Sequence, residues 1–497
     1  MNLDAALREH ARTIPEQLAV GWEANSYTYK ELDGKVQRLA NQFRRNGIEK
    51  GDRIAIILPN CPEFILSYYA CMRVGAISVP INPSFTPREY GVIINDSLPK
   101  YIVTNSDVYK KLLQVTMQEY PKYLLVEEYS HSFHDFLQGG VPVYIEYEMV
   151  EECTIIYTSG TTGTPKGAVL THDNLYHNAK TFAEAFGMTN KDKTLIVAPL
   201  FHSAAQSNCL NTMIYSGGYS YLLPRWKSSE NTLLTMEKEE ITFFFGPPTM
   251  YTYILNDPNI SEYHIKVRNA YTGASPLPAE IFNKWYETFG FKIVEGYGLT
   301  ETSPVVTVNP PYGIKKLRSV GLPIKDVEVK IVNELFEEVK TGKPGELLVK
   351  GSNVMKGYWN RPEENEAAFV DGWFRTGDIA KKDHEGYIYI VDRKKDMIIR
   401  SGFNVYPREI EEVLYQHPAV LEAAVIGYPD ADKGELVKAV VTIKDESLGY
   451  IADELKEYCR EYLANYKVPE KIEIVKELPK TATGKILKTK LREIYQH

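Results

Sequence analysis

The 497 residues carry 57 Lys and Arg against 65 Asp and Glu, a formal net charge of −8, and no long basic run, which argues against nucleic acid as a main partner. With 44% hydrophobic and 25% charged residues, the composition is that of a globular enzyme rather than a disordered chain, and the length allows two to four domains at ~150 residues each. Five cysteines (Cys61, Cys71, Cys153, Cys209, Cys459) are odd in number and form no CxxC pair, which fits free thiols in a reducing compartment better than disulfides or zinc. The first fifteen residues carry Asp4, Arg8, Glu9 and Arg12 and lack the apolar core of a signal peptide. No stretch nears ~18 uninterrupted apolar residues. The expectation is a cytoplasmic protein with no transmembrane segment.

In chain order, Leu3 to His10 and Tyr29 to Asn46 have the spacing of amphipathic helices. In the second, Leu32, Val36, Leu39, Ala40 and Phe43 recur on one face. Gly51-Asp52 turns into the apolar run Arg53 to Leu58, closed by Pro59; Glu63 to Val74 reads as a helix and Ala76 to Pro80 as a further strand. Helices alternating with buried strands predict parallel sheet covered by helices. Nothing in residues 1–150 looks catalytic.

The short apolar run Ile155 to Tyr157 predicts a buried strand. It leads into Thr158-Ser159-Gly160-Thr161-Thr162-Gly163-Thr164-Pro165-Lys166-Gly167. Glycines let a backbone turn its N–H groups inward, the hydroxyls add donors, and Lys166 adds a positive charge, so this loop has the makings of a polyphosphate cradle. It is not a standard P-loop, which requires Gly-Lys-Ser/Thr; here Lys166 precedes Gly167 and no hydroxyl residue follows. A solvated Gly/Thr loop is the plainer alternative.

Val169 to Asn174 leads into a helix, and Leu195 to Pro199 predicts a strand ending in Leu200-Phe201-His202-Ser203. Binding groups collect beyond strand C-termini in such sheets, although a lone histidine is more often a hydrogen-bonded structural residue. Ile241 to Phe245 is another buried strand. Tyr271-Thr272-Gly273-Ala274-Ser275-Pro276 offers small residues for close backbone approach to a flat ligand. In Glu295-Gly296-Tyr297-Gly298-Leu299-Thr300-Glu301-Thr302, Tyr297 is placed to stack on a base and Thr300 to bond a phosphate. Glu301 is suited to hold Mg²⁺ through oxygen.

From about Val320 the pattern shifts to alternating strands, Val327 to Ile331 and Gly345 to Gly351, then Arg375-Thr376-Gly377-Asp378 and a strand Tyr387 to Val391. Alternation predicts a half-exposed antiparallel sheet or small barrel. Asp392-Arg393-Lys394-Lys395-Asp396 marks a domain boundary. Beyond it about 100 residues read as a compact α+β domain, with a helix Pro407 to His417, strands Leu421 to Ile426 and Val437 to Ile443, and a helix Ala452 to Tyr462. The loop Leu478 to Lys485 presents two lysines.

The ordered motifs YTSGTTGTPKG (157–167), EGYGLTET (295–302), WFRTGD (373–378), DRKKDMIIRSGFNVYPREIE (392–411) and PKTATGK (479–485) resemble those of the adenylate-forming superfamily: acyl- and aryl-CoA synthetases, firefly luciferase and the adenylation domains of peptide synthetases. The resemblance implies a large α/β N-terminal domain over residues 1–394, with helix-covered sheets and a small β-barrel-like subdomain, and a small mobile α+β C-terminal domain over 395–497. The implied reactants are ATP with Mg²⁺, a carboxylic acid and CoA. An acyl carrier protein acting in trans and a homodimer are compatible with it.

Carried over position by position, the resemblance implies that Thr158, Ser159, Gly160, Thr161, Thr162, Gly163, Thr164 and Lys166 clasp the β- and γ-phosphates. Gly273, Ala274, Ser275, Pro276, Glu295, Gly296 and Tyr297 would line the adenine slot. Thr300 would contact the α-phosphate and Glu301 the metal, Asp378 and Arg393 the ribose. Lys485 would bridge the substrate carboxylate and the α-phosphate. Lys395 would be the hinge, and the face of Ser401, Gly402, Phe403 and Asn404 would line the thiol channel once the small domain rotates, with Gly402 leaving that channel open.

His202, Ala205, Gln206 and Gly298 would border the acyl pocket. Pro199 to Gln206 contains no acid, whereas amino-acid-activating relatives usually place an aspartate there. A neutral, roomy pocket points to a fatty acid, with an aromatic acid as the alternative. A catalytically dead nucleotide binder on the same fold would have lost Lys485, Asp378, Arg393 or Glu301; all four are present.

Overall fold

The structure is a computed structural model that describes residues 2–126, 133–139, 143–144, 146–158, 165–430, 432–445, 451–481 and 485–495. Local signals set the first helices. Asn2 caps Leu3–Thr13 by accepting from the Ala5 N–H, and Thr28 and Glu31 form a reciprocal capping box at the start of Tyr29–Arg45. The latter helix buries the face expected of it, Leu32, Val36, Leu39, Ala40 and Phe43. The helix Pro62–Val74 stops at Gly75, whose φ of +78° places its α-carbon so close to the chain that an added Cβ would lie 2.3 Å from the Glu148 carbonyl oxygen. Only glycine satisfies both conditions.

Among the described residues the strands assemble into four sheets. In the seven-stranded sheet, Arg53–Ile57, Ile77–Pro80, Tyr101–Thr104, Lys122–Leu125 and Glu152–Thr158 run parallel. The expected helix-covered parallel arrangement is therefore present. Lys166–Thr171 then returns antiparallel to Glu152–Thr158, with Lys166 opposite Thr158. The strand before the motif and the one after it are thus antiparallel neighbours, whereas a P-loop leads from a strand into a helix.

The nine-stranded sheet has a parallel centre in the order Leu18–Trp22, Tyr219–Leu222, Lys193–Ile196, Phe243–Phe245, Asn269–Thr272, Val294–Gly298. Antiparallel strands flank it, Asn25–Thr28 at one edge and Val305–Val308 with Leu322–Pro323 at the other. The strand expected to reach Pro199 ends at Ile196. Beyond it the Asn60 side-chain amide takes over the role of a strand partner: it donates to the Ala198 carbonyl at 3.1 Å and accepts from the Leu200 N–H at 2.8 Å. That carries the chain rigidly to His202.

A third, antiparallel sheet comprises Val327–Val332, Gly345–Gly351, Trp373–Lys382, Phe369–Val370 and Ile388–Arg393. Its pairings form an open path among the described residues. The fourth sheet starts at Ile398 and unites Ile398–Arg400, Phe403–Val405, Gly434–Ile443, Val420–Asp430 and Lys471–Ile474, covered by the helices Pro407–Gln416, Ala452–Tyr462 and Lys488–Tyr495. No described helix is long and apolar enough to cross a membrane.

The N-terminal helices are tied together by a buried cation. Arg73 donates to Asp4 Oδ1 at 2.9 and 2.6 Å, to Asp33 Oδ1 at 2.6 Å and to the Asp33 carbonyl at 3.0 Å, and all three side chains are 3–4% exposed. Removing the guanidinium leaves Asp33 buried without a counter-charge and Asp4 with Arg8 alone, 3.3 Å from its Oδ2. Arg73→Ala should therefore lower stability by about 3–5 kcal/mol, read as an early first transition in thermal melting. An unchanged melt would mean that the carboxylates are solvated or re-paired.

Candidate active site

The residues singled out in the sequence follow the C-terminal ends of parallel strands, where such sheets place ligands. Gly273 to Pro276 come directly after Asn269–Thr272, Thr300 and Glu301 after Val294–Gly298, and His202 after Lys193–Ile196. Asp378 and Arg393 arrive from the third sheet as cross-strand partners. A cavity of about 1620 Å³ joins these groups to Thr158, Lys166 and Lys485, and a second of about 350 Å³ continues from the same place between the large and small parts of the chain.

Asp378 is buried. Its Oδ2 accepts from the Tyr297 hydroxyl at 2.5 Å, and its Oδ1 lies 3.4 Å from Arg393 Nε. Burial pushes the carboxyl up from its usual range, and the Arg393 charge and the Tyr297 hydroxyl counteract this. A carboxylate has about four acceptor positions, so acceptor capacity remains for a ligand hydroxyl. The ring of Tyr297 is held at its tip and presents a face to the smaller cavity. Beside it glycine is sterically required at 296, where a Cβ would meet the Tyr271 hydroxyl at 2.5 Å and the Thr307 carbonyl at 2.8 Å, while one on Gly273 would be tight, 3.2 Å from the Gly296 carbonyl. Ala274, Ser275, Pro276 and Glu295 complete this wall. Glu295 accepts from the Leu277 N–H at 3.2 Å; burial raises its pKa to about 7, opposed by Arg408 from the small part.

On the phosphate side, Thr300 Oγ1 lies 3.2 Å from Ser203 Oγ. Glu301 Oε1 accepts from the Tyr358 hydroxyl at 2.9 Å and from Thr158 Oγ1 at 3.5 Å. Lys166 Nζ sits 5.5 Å from the centroid of the Tyr358 ring and 4.0 Å from Glu364. Ser159, Gly160, Thr161, Thr162, Gly163 and Thr164 lie outside the described residues. Among the described residues no three metal-ligating side chains cluster. One carboxylate is nevertheless what Mg²⁺ asks of a protein when substrate phosphates and water supply its other ligands, so Glu301 fits that ion.

Lys485 is half-buried at the junction of both cavities. Burial and the nearby Arg393 charge push its pKa down to about 8, against the attraction of Asp378 and Asp396. His202 Nδ1 accepts from the Ala204 N–H at 3.2 Å, which assigns the proton to Nε2. Burial, with the Lys485 charge in support, lowers its pKa to about 4. At neutral pH it is an uncharged imidazole.

The acyl wall needs correction. The cavity is lined by Ala204 and Asn208, not by the expected Ala205 and Gln206. Residues four apart share a helical face, and in the helical segment that starts at Ser203 the next residues point into the core: Ala205 is 1% and Gln206 0% exposed. Gly298 does line the cavity. Its missing side chain, however, is first a packing requirement, since a Cβ would overlap the Pro304 carbonyl oxygen at 1.7 Å.

Lys395 lies between two anchored neighbours. Lys394 Nζ bonds Glu346 at 3.1 Å on the large part, and Asp396 bonds Arg492 at 2.7 Å on the small part. Ser401, Gly402 and Phe403 are exposed and line neither cavity in this orientation. The steric reason expected for Gly402 is not seen here either: a Cβ would meet nothing within 4 Å, and its φ of +81° is what favours glycine. Sequence reasoning missed Ser203 and Tyr358. The only signal for Tyr358 was an aromatic residue after Gly357 in a strand too short to show alternation.

The chain matches the AMP-binding enzyme family over residues 7–359 and the AMP-binding enzyme C-terminal domain over residues 409–485. It belongs to that family. The enzyme is 36% identical to the long-chain-fatty-acid–CoA ligase of Bacillus subtilis, over 99% of this chain and 94% of the relative. It is 37% identical to the feruloyl-CoA synthase of an Amycolatopsis species, over 97% and 96%. ATP-bound MatB from Rhodopseudomonas palustris superposes with a TM-score of 0.92 at 31% identity, over 100% of this chain and 99% of that one. The enzyme is thus an adenylate-forming acid–thiol ligase of the acyl-CoA synthetase type, working with ATP, Mg²⁺ and CoA.

Because the ammonium form of Lys485 is the one that attracts anions, kcat/KM for ATP in a CoA-free pyrophosphate-exchange assay should be level below pH 8 and fall as pH rises through about 8. Lys485→Arg, which keeps its charge throughout, should retain a lower but level profile. A wild-type profile flat to pH 10 would show that the ammonium is not the titrating group.

Proposed function

We propose that the enzyme activates a medium- or long-chain fatty acid. The observation that carries this reading is the acyl end of the large cavity. The part of its wall contributed by the segment after Lys193–Ile196 and by the neighbouring strands, Phe201, His202, Ser203, Ala204, Asn208, Phe245, Gly273, Pro304 and Val305, carries no charged side chain, since the His202 imidazole is neutral at pH 7; the charged lining, Arg88 and Glu89 included, comes from other segments. An amino or dicarboxylic acid would have to bury its second charge there unpaired, at a cost of several kcal/mol. The 36% identity to a long-chain-fatty-acid–CoA ligase favours the same substrate class. A second reading, an aryl acid, is favoured by the Phe245 and Tyr271 rings, 5.6 Å apart on the cavity wall, and by the feruloyl-CoA synthase relative.

In this reading the acid's carboxylate oxygen attacks the α-phosphorus of ATP, the bond to the bridging oxygen breaks, and pyrophosphate leaves with acyl-AMP behind. The CoA thiol then attacks the acyl carbon and AMP departs. Lys485 neutralises charge between carboxylate and α-phosphate, Thr300 hydrogen-bonds the α-phosphate, Asp378 accepts the ribose hydroxyls beside Arg393, and Glu301 holds Mg²⁺, which screens the phosphates when bound. The first step is then mainly positioning and charge compensation. For the second, the small domain turns about Lys395, the residue between the Glu346–Lys394 and Asp396–Arg492 anchors, and brings the face of Ser401, Gly402 and Phe403 to the thiol path. The reading places the enzyme in the cytoplasm, where ATP and CoA are supplied.

Carboxylate-dependent ATP–pyrophosphate exchange across straight-chain, aromatic and amino acids tests the substrate class. A maximum on straight chains of medium or greater length, with acyl-CoA formed on adding CoA, is the expected result. A maximum on aromatic acids would replace it with the aryl reading, and exchange without CoA product would make a carrier protein the acceptor. Lys485→Ala should reduce exchange by about 10²–10³-fold while sparing thiol transfer from supplied acyl-AMP. Equal loss in both half-reactions would remove Lys485 from its assigned role.

A further inference from the structure

The hydrogen bond between Tyr358 and Glu301 joins two parts of the phosphate site that the sequence places far apart. The short strand Gly357–Tyr358 lies antiparallel on Lys166–Thr171, with Tyr358 opposite Ala168. Trp359 N–H donates to the Gly167 carbonyl at 2.8 Å, and Lys356 N–H to the Val169 carbonyl at 3.0 Å. Since residues two apart share a strand face, Lys166 and Tyr358 project to the same side, as the 5.5 Å between Nζ and the ring centroid shows. The Tyr358 backbone is further clamped by one side chain. Asn365 Oδ1 accepts from its N–H at 2.6 Å, and Asn365 Nδ2 donates to its carbonyl at 3.0 Å.

From this fixed position the phenol reaches Glu301 Oε1 at 2.9 Å. An ionised carboxylate only accepts, so in this pair Tyr358 is the donor. The Glu301 backbone is held from the same loop, its carbonyl accepting from Met355 N–H at 2.8 Å. Oε1 is therefore engaged by Tyr358 and Thr158, while Oε2 has no hydrogen bond among the described residues.

We propose that Tyr358 is the positioning residue of the Mg·ATP site: its hydroxyl orients Glu301 so that Oε2 is left for the cation, and its ring face holds Lys166 ready for the phosphates. Glu364, 4.0 Å from Lys166 and shared with Arg361 at 3.9 Å, is the weak counter-ion that Lys166 gives up when phosphate arrives. Hydrogen bonds that orient a metal-ligating carboxylate are worth about 10–100-fold in metal affinity, and a cation over an aromatic face about 0.5–1 kcal/mol at exposed sites. The inference rests on the assignment of Glu301 to Mg²⁺.

The two contributions separate in calorimetric ATP binding without acid substrate, measured with Mg²⁺ and with EDTA. Tyr358→Phe keeps the ring and removes the hydroxyl. It should reduce the enhancement of ATP affinity by Mg²⁺ about tenfold and leave the affinity in EDTA within roughly twofold. Tyr358→Leu should also weaken binding in EDTA, roughly two- to fivefold, through Lys166. Glu301→Gln should abolish the Mg²⁺ enhancement, and adding Tyr358→Phe to it should change nothing further. Asn365→Ala loosens the Tyr358 backbone without touching its ring; it should give a smaller loss of the Mg²⁺ enhancement, and it supplies the same test should Tyr358→Phe melt early. Tyr358→Phe with full Mg²⁺ enhancement, against a Glu301→Gln that has lost it, would overturn the role of Tyr358 alone. A Glu301→Gln that keeps the enhancement would overturn the metal assignment and the inference with it.

Discussion

The arrangement of this enzyme turns on the cost of keeping cations together before their anion arrives. Lys166, Arg393 and Lys485 all border one cavity, and each has a provisional, imperfect partner. Lys166 rests against a ring face and a carboxylate 4.0 Å away. Arg393 shares Asp378, at 3.4 Å, with Tyr297. Lys485 is half-buried, and burial with the nearby Arg393 charge lowers its pKa to about 8, Asp378 and Asp396 compensating only in part. Incomplete pairing is the useful condition. A triphosphate that enters finds charge already in place, and the rearrangement that solvent would otherwise undergo has been done by folding.

The sheets explain how such charges are held. In the nine-stranded sheet, parallel strands deliver Gly273, Thr300 and, through the loop clamped by Asn60, His202 to one edge. The seven-stranded sheet brings Thr158 and Lys166 as partners on adjacent antiparallel strands, and the third sheet sets Asp378 opposite Arg393. The site lies where three sheets present strand ends, so no single element carries it. Its glycines follow from the same convergence: Gly296 and Gly298 lie where neighbouring backbone comes too close for a Cβ, and at Gly273 one would be a tight fit.

Much of this was legible in the sequence, for physical reasons that differ from residue to residue. The helix Tyr29–Arg45 was plain because its apolar face repeats over four turns beside a capping box. Glu301 was marked out by a carboxylate set among glycines and hydroxyls, a combination that packing alone does not demand, whereas Asp378 and Lys485 entered through the resemblance of their motifs to the adenylate-forming superfamily. The acyl wall was not. Choosing Ala204 and Asn208 over Ala205 and Gln206 requires the helical phase of a short, wholly buried segment, 203–211, in which every residue is buried and no polar face marks the outside. Tyr358 was missed because its meaning is purely tertiary. It stands 57 residues from its partner Glu301, in a strand of two residues.

The two half-reactions set one more demand on the fold, that the small domain be able to leave. The hydrophobic clusters meet it. One large cluster draws its buried members from Leu3 to Ile388, and those of the small domain begin at Ile398. Among the described residues no buried cluster crosses the segment 389–397. What crosses the junction is polar. Arg318 meets Glu412 at 3.4 Å, Lys444 meets Glu280 at 3.4 Å, and Arg408 donates to the Ile390 carbonyl at 2.7 Å. The two partly exposed ion pairs are each worth no more than about 1 kcal/mol and water replaces them readily, while the Arg408 bond comes from a buried side chain. On the proposed reading, rotation about Lys395 would exchange polar contacts for solvent without opening either core, and the interface resembles those across which domain motion is the default. The separation of the cores is what would let Lys485 leave with the small domain while the rest of the site stays in place.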